Sequence, residues 1–195
     1  VERRKKEIVS YGPITFFELF TLAAILYFAA REVGLGIFEV GMGGRLDATN
    51  VLTPLISIIT PISFDHEEHL GRTLTAIARE KAAIIKRDGI VISAEQAREA
   101  KRVLLARIRK EKAEAYFLDF AFRTAREVIS KTGSRFDFVT PHPTLSPFRG
   151  EGKGEGKFRI SLPGRFQIRN AAVARAGARI LEDQYGFKLT DSRMR

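Results

Sequence analysis

Short apolar runs alternate with helical stretches through the first two thirds of the chain, and no other feature constrains the fold as much. G-L-G-I-F-E-V, ending near Val40, reads as a short buried strand. Further strands are expected at about Leu55 to Thr60, Ile90–Ser93 and Ala115–Leu118. Helices are expected at about Phe16 to Arg31, Thr75 to Lys86 and Glu95–Lys112. The first carries a capping box, Thr15-Phe16-Phe17-Glu18, with Ile14 and Leu19 placed as a hydrophobic staple. Strands and helices at this spacing imply an α/β fold: a partial, mostly parallel sheet with crossover helices.

Beyond about residue 120 the rhythm weakens. Phe136–Val139 and Lys157–Leu162 alternate apolar and polar residues, as antiparallel edge strands do, giving a small antiparallel portion. Between them residues 141–157 are rich in Pro and Gly, and are expected to form a disordered insertion or long hairpin loop. Replacing that insertion by a short turn is expected to leave stability unchanged or higher. Asn170–Gln184 is expected to be the final helix. No internal repeat is present.

The chain's 195 residues suffice for one domain with a core. The longest apolar run, Leu22 to Ala30, is far short of the roughly 20 residues that span a bilayer. There is no cysteine, which excludes disulfide and thiol chemistry and fits a cytoplasmic protein. The net charge of +10 suits anionic ligands. The basic residues are scattered along amphipathic helices without interleaved stacking aromatics, so a solvated basic surface is expected rather than a nucleic-acid interface. Val1 opens a charged, helix-like stretch with neither an initiating Met nor a signal-peptide pattern.

Three residues point to chemistry. Glu39 ends an apolar strand, and ligands in open parallel sheets collect beyond strand carboxyl ends. Its ordinary alternatives are a solvated carboxylate or a pair with Arg45. Asp65-His66 follows the next strand, so a carboxylate and an imidazole face one edge, a set suited to a divalent cation bound with phosphate oxygens. His69 fits an ordinary surface position. Lys81 shares 3-4-3 spacing with Leu74, Ile77 and Ile84, which places it on the apolar face of its helix. An ammonium there is costly, and a neutral amine can take up carbon dioxide to form an anionic carbamate. The alternatives are a snorkelling lysine or a pair with Glu80. Residues 41–50, G-M-G-G-R-L-D-A-T-N, could cradle an anion through backbone amides or form a plain strand-to-loop turn.

Residues 39–50, 65–71 (D-H-E-E-H-L-G) and 79–86 (R-E-K-A-A-I-I-K) occur in that order. T-F-F-E (15–18) precedes them and F-Q-I-R-N-A-A (166–172) follows. Together these blocks closely resemble the folylpolyglutamate/dihydrofolate synthases of the Mur ligase superfamily. The resemblance spans about residues 2–120 and 158–185. It implies a central ATPase domain, of which residues 1–195 would form part. It further implies transfer of the ATP γ-phosphate to a substrate carboxylate, then displacement of phosphate by the amine of L-glutamate. By resemblance, Glu39 and His66 are the expected Mg2+ ligands and Lys81 the carbamylated lysine, and these three are the expected catalytic residues. Gln167 and Asn170 match the nucleotide-side motif. Thr15, Phe17, Asp47 and Ala48 match positions lining the pterin pocket. The expected partners are ATP, L-glutamate and a folate or dihydropteroate, with no nucleic acid or membrane, for a monomer in the cytoplasm.

The sequence departs from the pattern in four places. The phosphate loop G-T-N-G-K-G-S is absent, Phe166 stands where the family has His, Ala83 replaces Gly, and the insertion at 141–157 is extra. The chain is therefore expected to be the middle of a longer enzyme, with the phosphate loop upstream and the C-terminal domain downstream. Alone it is expected neither to hydrolyse ATP nor to ligate glutamate. The alternative is a truncated, inactive remnant of such an enzyme.

Overall fold

The computed structural model describes residues 12–140 and 156–189. The charged stretch at the N-terminus and all but the end of the 141–157 insertion lie outside the described residues. Helix α1 (Phe16–Ala30) opens the fold with the expected capping box. The Thr15 hydroxyl accepts from the Glu18 amide at 3.2 Å, and the Thr15 amide donates to the Glu18 carboxylate at 2.7 Å.

Three short strands form a parallel sheet in the order β1 (Ile56–Ile59), β2 (Ile90–Ser93), β3 (Glu114–Phe117). A one-turn helix α2 (Glu67–Leu70) and helix α3 (Leu74–Ala82) connect β1 to β2, and helix α4 (Arg98–Glu111) connects β2 to β3. A second sheet is antiparallel, in the order β4 (Arg123–Ser130), β5 (Gly133–Val139), β6 (Gly156–Ile160). Helix α5 (Arg165–Tyr185) closes the described chain. The α/β class, with one parallel and one small antiparallel sheet, is as expected.

Side-chain alternation along the central strands builds two cores. Ile90, Ile92, Tyr116 and Leu118 face α5 and the antiparallel sheet, joining Ile168, Ala172, Phe122, Phe136 and Phe138. Val91 and Phe117 point the other way, into Ile77, Ala78 and Ala82 of α3 and Leu104 and Ile108 of α4. Both faces of the parallel sheet are thus covered, which is why its strands read as continuous apolar runs. At Gly177 α5 packs on the sheet, where a Cβ would meet Ile58 at 3.4 Å and Ile92 at 3.6 Å, ordinary contact distances.

Several boundaries differ from expectation. Residues 34–40 form no strand; Ile37 is 89% exposed, and no strand pairs with them among the described residues. An apolar run signals burial, but a strand also needs a hydrogen-bonded neighbour. Helix α3 ends at Ala82 rather than Lys86, since its last turn tightens through i→i+3 bonds from Ile84 to Lys81 and from Ile85 to Ala82. Helix α5 begins at Arg165 rather than Asn170. Gly156, expected in the insertion, is the first residue of β6, one before the expected strand start at Lys157. Ala83 has right-handed helical geometry, φ −68°, so nothing at that position calls for glycine.

Candidate active site

The ten residues after Val40 are held together by their own side chains. Asp47 Oδ2 accepts from the amides of Gly41 at 2.9 Å and Met42 at 3.1 Å. Asp47 Oδ1 accepts from the Thr49 amide at 2.9 Å and the Thr49 hydroxyl at 2.6 Å. Asp47 thereby caps a 3-10 turn, Ala48–Val51. Burial pushes its carboxyl pKa up, but the hydrogen bonds from Thr49, Met42 and Gly41 outweigh burial and hold it below the ordinary aspartate value. Asn50 donates to the Arg45 carbonyl, and Lys86 reaches back to the Asn50 carbonyl and side chain at 2.7 and 2.8 Å. The first two amides of the glycine-rich loop are therefore occupied. It is a self-closed turn, and the anion-cradle reading of residues 41–50 is not supported.

Gly43 and Gly44 are the buried centre of this region. A Cβ on Gly43 would sit 2.9 Å from Leu70 of α2. One on Gly44 would sit 2.7 Å from the Glu80 carbonyl oxygen and 3.3 Å from the Lys81 Cα of α3. Their φ values, +70° and +156°, are ones that side chains rarely adopt. Arg45 fastens the same contact with an ion pair to Glu80 at 3.0 Å. Three segments therefore converge on two glycines: the one that leaves Glu39, the one that follows His66, and the helix turn that carries Lys81.

Glu39 is exposed and has no hydrogen bond or ion pair among the described residues. The alternative pairing with Arg45 is not formed; Arg45 pairs with Glu80. His66 sits at the cap of α2 in the left-handed region, φ 49° and ψ 39°. A non-glycine residue held there is strained by ~1–3 kcal/mol, a condition that gathers at functional sites. Its half-exposed imidazole lies 3.6 Å from the Asp65 carboxylate. The buried positions of α3 are Ile77, Ala78 and Ala82, and Lys81 falls between Ile77 and Ala78 in helical projection, half-buried on the apolar face. It makes no ion pair with Glu80 or any other described residue.

Thr15 and Phe17 stand at the N-terminus of α1, beside the same loop. The tip of the Phe17 ring abuts Gly41, where a Cβ would meet it at 2.7 Å. Ala48 is half-buried in the 3-10 turn, which packs on α1. Gln167 and Asn170 lie in the first turns of α5, half-buried and exposed respectively. Arg169 between them was missed by the sequence reading. It bridges Glu95 at 2.7 Å and Asp119 at 2.9 Å, each two residues beyond a strand end. Its hydrogen bond to Asp119 raises the guanidinium pKa. Gln96 also escaped notice; its amide accepts from the Ile62 amide and donates to the Thr60 carbonyl, both at 2.9 Å, pinning the loop towards His66. The only sequence signal for either was a polar residue directly after a buried strand or inside the Gln-x-x-Asn motif. Phe166 is 65% exposed at the start of α5.

His66, Glu95 and Asp119 follow the carboxyl ends of the parallel strands, Glu39 precedes the glycine-rich loop, and Lys81, Gln167 and Asn170 are on helices α3 and α5. Among the described residues, no three His, Asp or Glu side chains gather as a metal cage. One free carboxylate and one imidazole fit a magnesium ion that takes most of its ligands from water and phosphate oxygens. The Mur ligase middle domain profile matches residues 4–178. The chain belongs to the Mur ligase middle-domain family. It is 31% identical over its full length to the folylpolyglutamate synthase of Lacticaseibacillus casei, covering 43% of that protein. It is 36% identical over 95% of its length to the dihydrofolate synthase/folylpolyglutamate synthase of Bacillus subtilis, covering 41% of it. Among solved structures it superimposes on a folylpolyglutamate synthase complex with AMPPCP and folate, at TM-score 0.84 and 30% identity, covering 99% of this chain and 44% of the other. The chain thus spans less than half the length of these relatives. No described helix is long and apolar enough to cross a membrane.

Proposed function

We propose that the protein is part of the central domain of an ATP-dependent ligase that adds L-glutamate to dihydropteroate, tetrahydrofolate polyglutamates, or both. The observation that carries this is the convergence of the Glu39, His66 and Lys81 segments on Gly43 and Gly44. Similarity to folate ligases along the whole chain supports it. Glu39 and His66 would hold magnesium, and a carbamate on Lys81 would complete the anionic side of the site. Bound magnesium supplies charge neutralisation for the transferring phosphoryl group.

The remaining groups position the reactants. Gln167 and Asn170 at the start of α5 would face the nucleotide, with the Arg169 bridge fixing that helix end. Thr15, Phe17, Asp47 and Ala48 would line the pterin side, where the Phe17 ring on Gly41 offers an aromatic wall. A substrate carboxylate between the two sides would take the γ-phosphoryl group as an acyl phosphate. The amine of glutamate would then attack the acyl carbon and release phosphate. The enzyme would act in the cytoplasm on small molecules.

The test is glutamate-dependent phosphate release by the full-length protein, with dihydropteroate and tetrahydrofolate supplied separately. Release with either substrate, abolished by omitting magnesium, is expected. Release that ignores both substrates would refute the assignment.

A further inference from the structure

The backbone ladder between β1 and β2 runs out at the Ile59 carbonyl, which accepts from the Ala94 amide at 2.9 Å. Pro61 stands two residues on and has no N–H, so the backbone cannot carry the pairing further. The Gln96 side chain takes over. Its Nε2 donates to the Thr60 carbonyl at 2.9 Å, and its Oε1 accepts from the Ile62 amide at 2.9 Å. A carboxamide carries the donor and acceptor of a peptide group, so Gln96 spans the proline as a further rung would. The same nitrogen also donates to the hydroxyl of Ser93, a fully buried residue at the end of β2, at 3.2 Å. The preceding residue, Glu95, pairs with Arg169 of α5 at 2.7 Å, which ties down the root of this side chain.

This bridge holds one end of the segment that carries His66. Ile62 and Leu70 are both buried in the core under α3 and α4, and residues 63–69 between them are exposed. The backbone of residues 63–65 makes no hydrogen bond among the described residues. His66 itself is left-handed, and its side chain makes no capping bond. The imidazole is therefore placed by the two ends of the segment. Leu70 is seated against Gly43, and Ile62 is held by Gln96. We infer that Gln96 is a positioning residue for His66, acting through the backbone of Thr60 and Ile62. This rests on the proposed role of His66 toward magnesium. Gln96→Leu keeps the bulk and removes all three hydrogen bonds. Gln96→Asn keeps the amide but is one methylene too short to reach Thr60 and Ile62 together.

The test uses the full-length protein and three readouts. Hydrogen exchange reports the Ile62 amide, Mn2+ titration followed by water-proton relaxation reports the cation site, and steady-state rates report the magnesium requirement. In the wild type the Ile62 amide should exchange slowly. Gln96→Leu should speed its exchange and weaken Mn2+ binding by about tenfold or more, the usual cost of losing a group that orients a metal ligand. Its rate should recover as magnesium is raised, with the KM for the folate substrate unchanged. Ile108→Val, which only trims the same core, should lower the melting temperature and leave Mn2+ affinity as it was. If Gln96→Leu does not fold, Gln96→Asn decides on the same readouts. An unprotected Ile62 amide in the wild type overturns the inference. So does fast exchange in Gln96→Leu with Mn2+ affinity unchanged, or an equal loss of Mn2+ affinity in Ile108→Val, which would reduce Gln96 to general stability. If His66→Ala binds Mn2+ as the wild type does, the metal role of His66 fails and this inference falls with it. Mn2+ binding that His66→Ala weakens and Gln96→Leu does not would sink the inference alone.

Discussion

Gly44→Ala tests the convergence directly. The new Cβ would lie 2.7 Å from the Glu80 carbonyl oxygen, 3.0 Å from Ile84 Cγ2 and 3.3 Å from Lys81 Cα. Two of these are backbone atoms of α3, which cannot rotate aside as a side-chain tip can. The φ of +156° adds a backbone conformation that alanine resists. That conformation costs ~1–3 kcal/mol, and overpacking a tight contact costs a further ~1–3 kcal/mol. Together they give ~2–6 kcal/mol. At ~2–4 °C per kcal/mol for a domain of this size, the melting temperature should fall by roughly 5–20 °C. Gly34→Ala is the matched control, since a Cβ there meets nothing within 4 Å. It should be neutral or slightly stabilising by lowering the entropy of the unfolded chain. Thermal unfolding of both variants by circular dichroism decides the matter. If Gly44→Ala melts within about 2 °C of Gly34→Ala, the loop does not pack on the Lys81 turn as described.

Glu39→Gln in the full-length enzyme should keep folate affinity but lose about 100-fold or more in rate, because the metal charge is worth several kcal/mol; steady-state rates across a magnesium titration check this. Lys81→Ala should abolish nearly all activity with the fold intact, and millimolar short carboxylic acids should restore part of it, whereas Lys81→Arg should stay inactive because a guanidinium remains charged. Full activity of Lys81→Arg in the same assay would remove the carbamate. Asp47 has a folded pKa below its unfolded value near 3.9; its clamp therefore contributes fully above that value and is lost as pH falls through the folded pKa. Exchange of the Gly41 and Met42 amides should accordingly lose protection only on acidification below the ordinary aspartate range, and not between pH 5 and 8. Arg169→Met should cost ~1 kcal/mol or more, from its charged hydrogen bonds to Asp119 and Glu95, read as a lower denaturation midpoint.

The parallel sheet and its crossover helices were legible because the central strand β2 is buried on both faces and its neighbours are apolar runs, and the capping box at Thr15 was legible because it is local. What escaped the sequence reading has identifiable physical causes. Strand β4 was invisible to a period of two. Its register shifts between Ala125 and Val128, with Arg126 in the left-handed region, so the alternation breaks in mid-strand. The start of α5 was set late because Gly164 caps it without a side-chain hydrogen bond, leaving Asn170 as the first residue that looks like a cap. The residues 41–50 block was recognised as a string, while its mechanics depend on a carboxylate folding back on amides five and six residues earlier.

Chemistry and geometry are divided between different residues in this site. The groups that would meet a cation, Glu39 and His66, are exposed and make few contacts of their own. A long exposed side chain cannot hold a position to within half an ångström by itself, so its supporting shell must do so. That shell is the part of the block with no reactive groups. Gly43 and Gly44 permit contacts that any side chain would block, Arg45 ties the loop to α3, Asn50 ties it to Lys86, and Asp47 closes it on itself. Each of these demands a specific residue type at a fixed spacing, which Glu39 alone does not. Ten consecutive residues, G-M-G-G-R-L-D-A-T-N, therefore read as a signature because most of them shape a loop that starts just beyond Glu39, the carboxylate proposed to meet the cation.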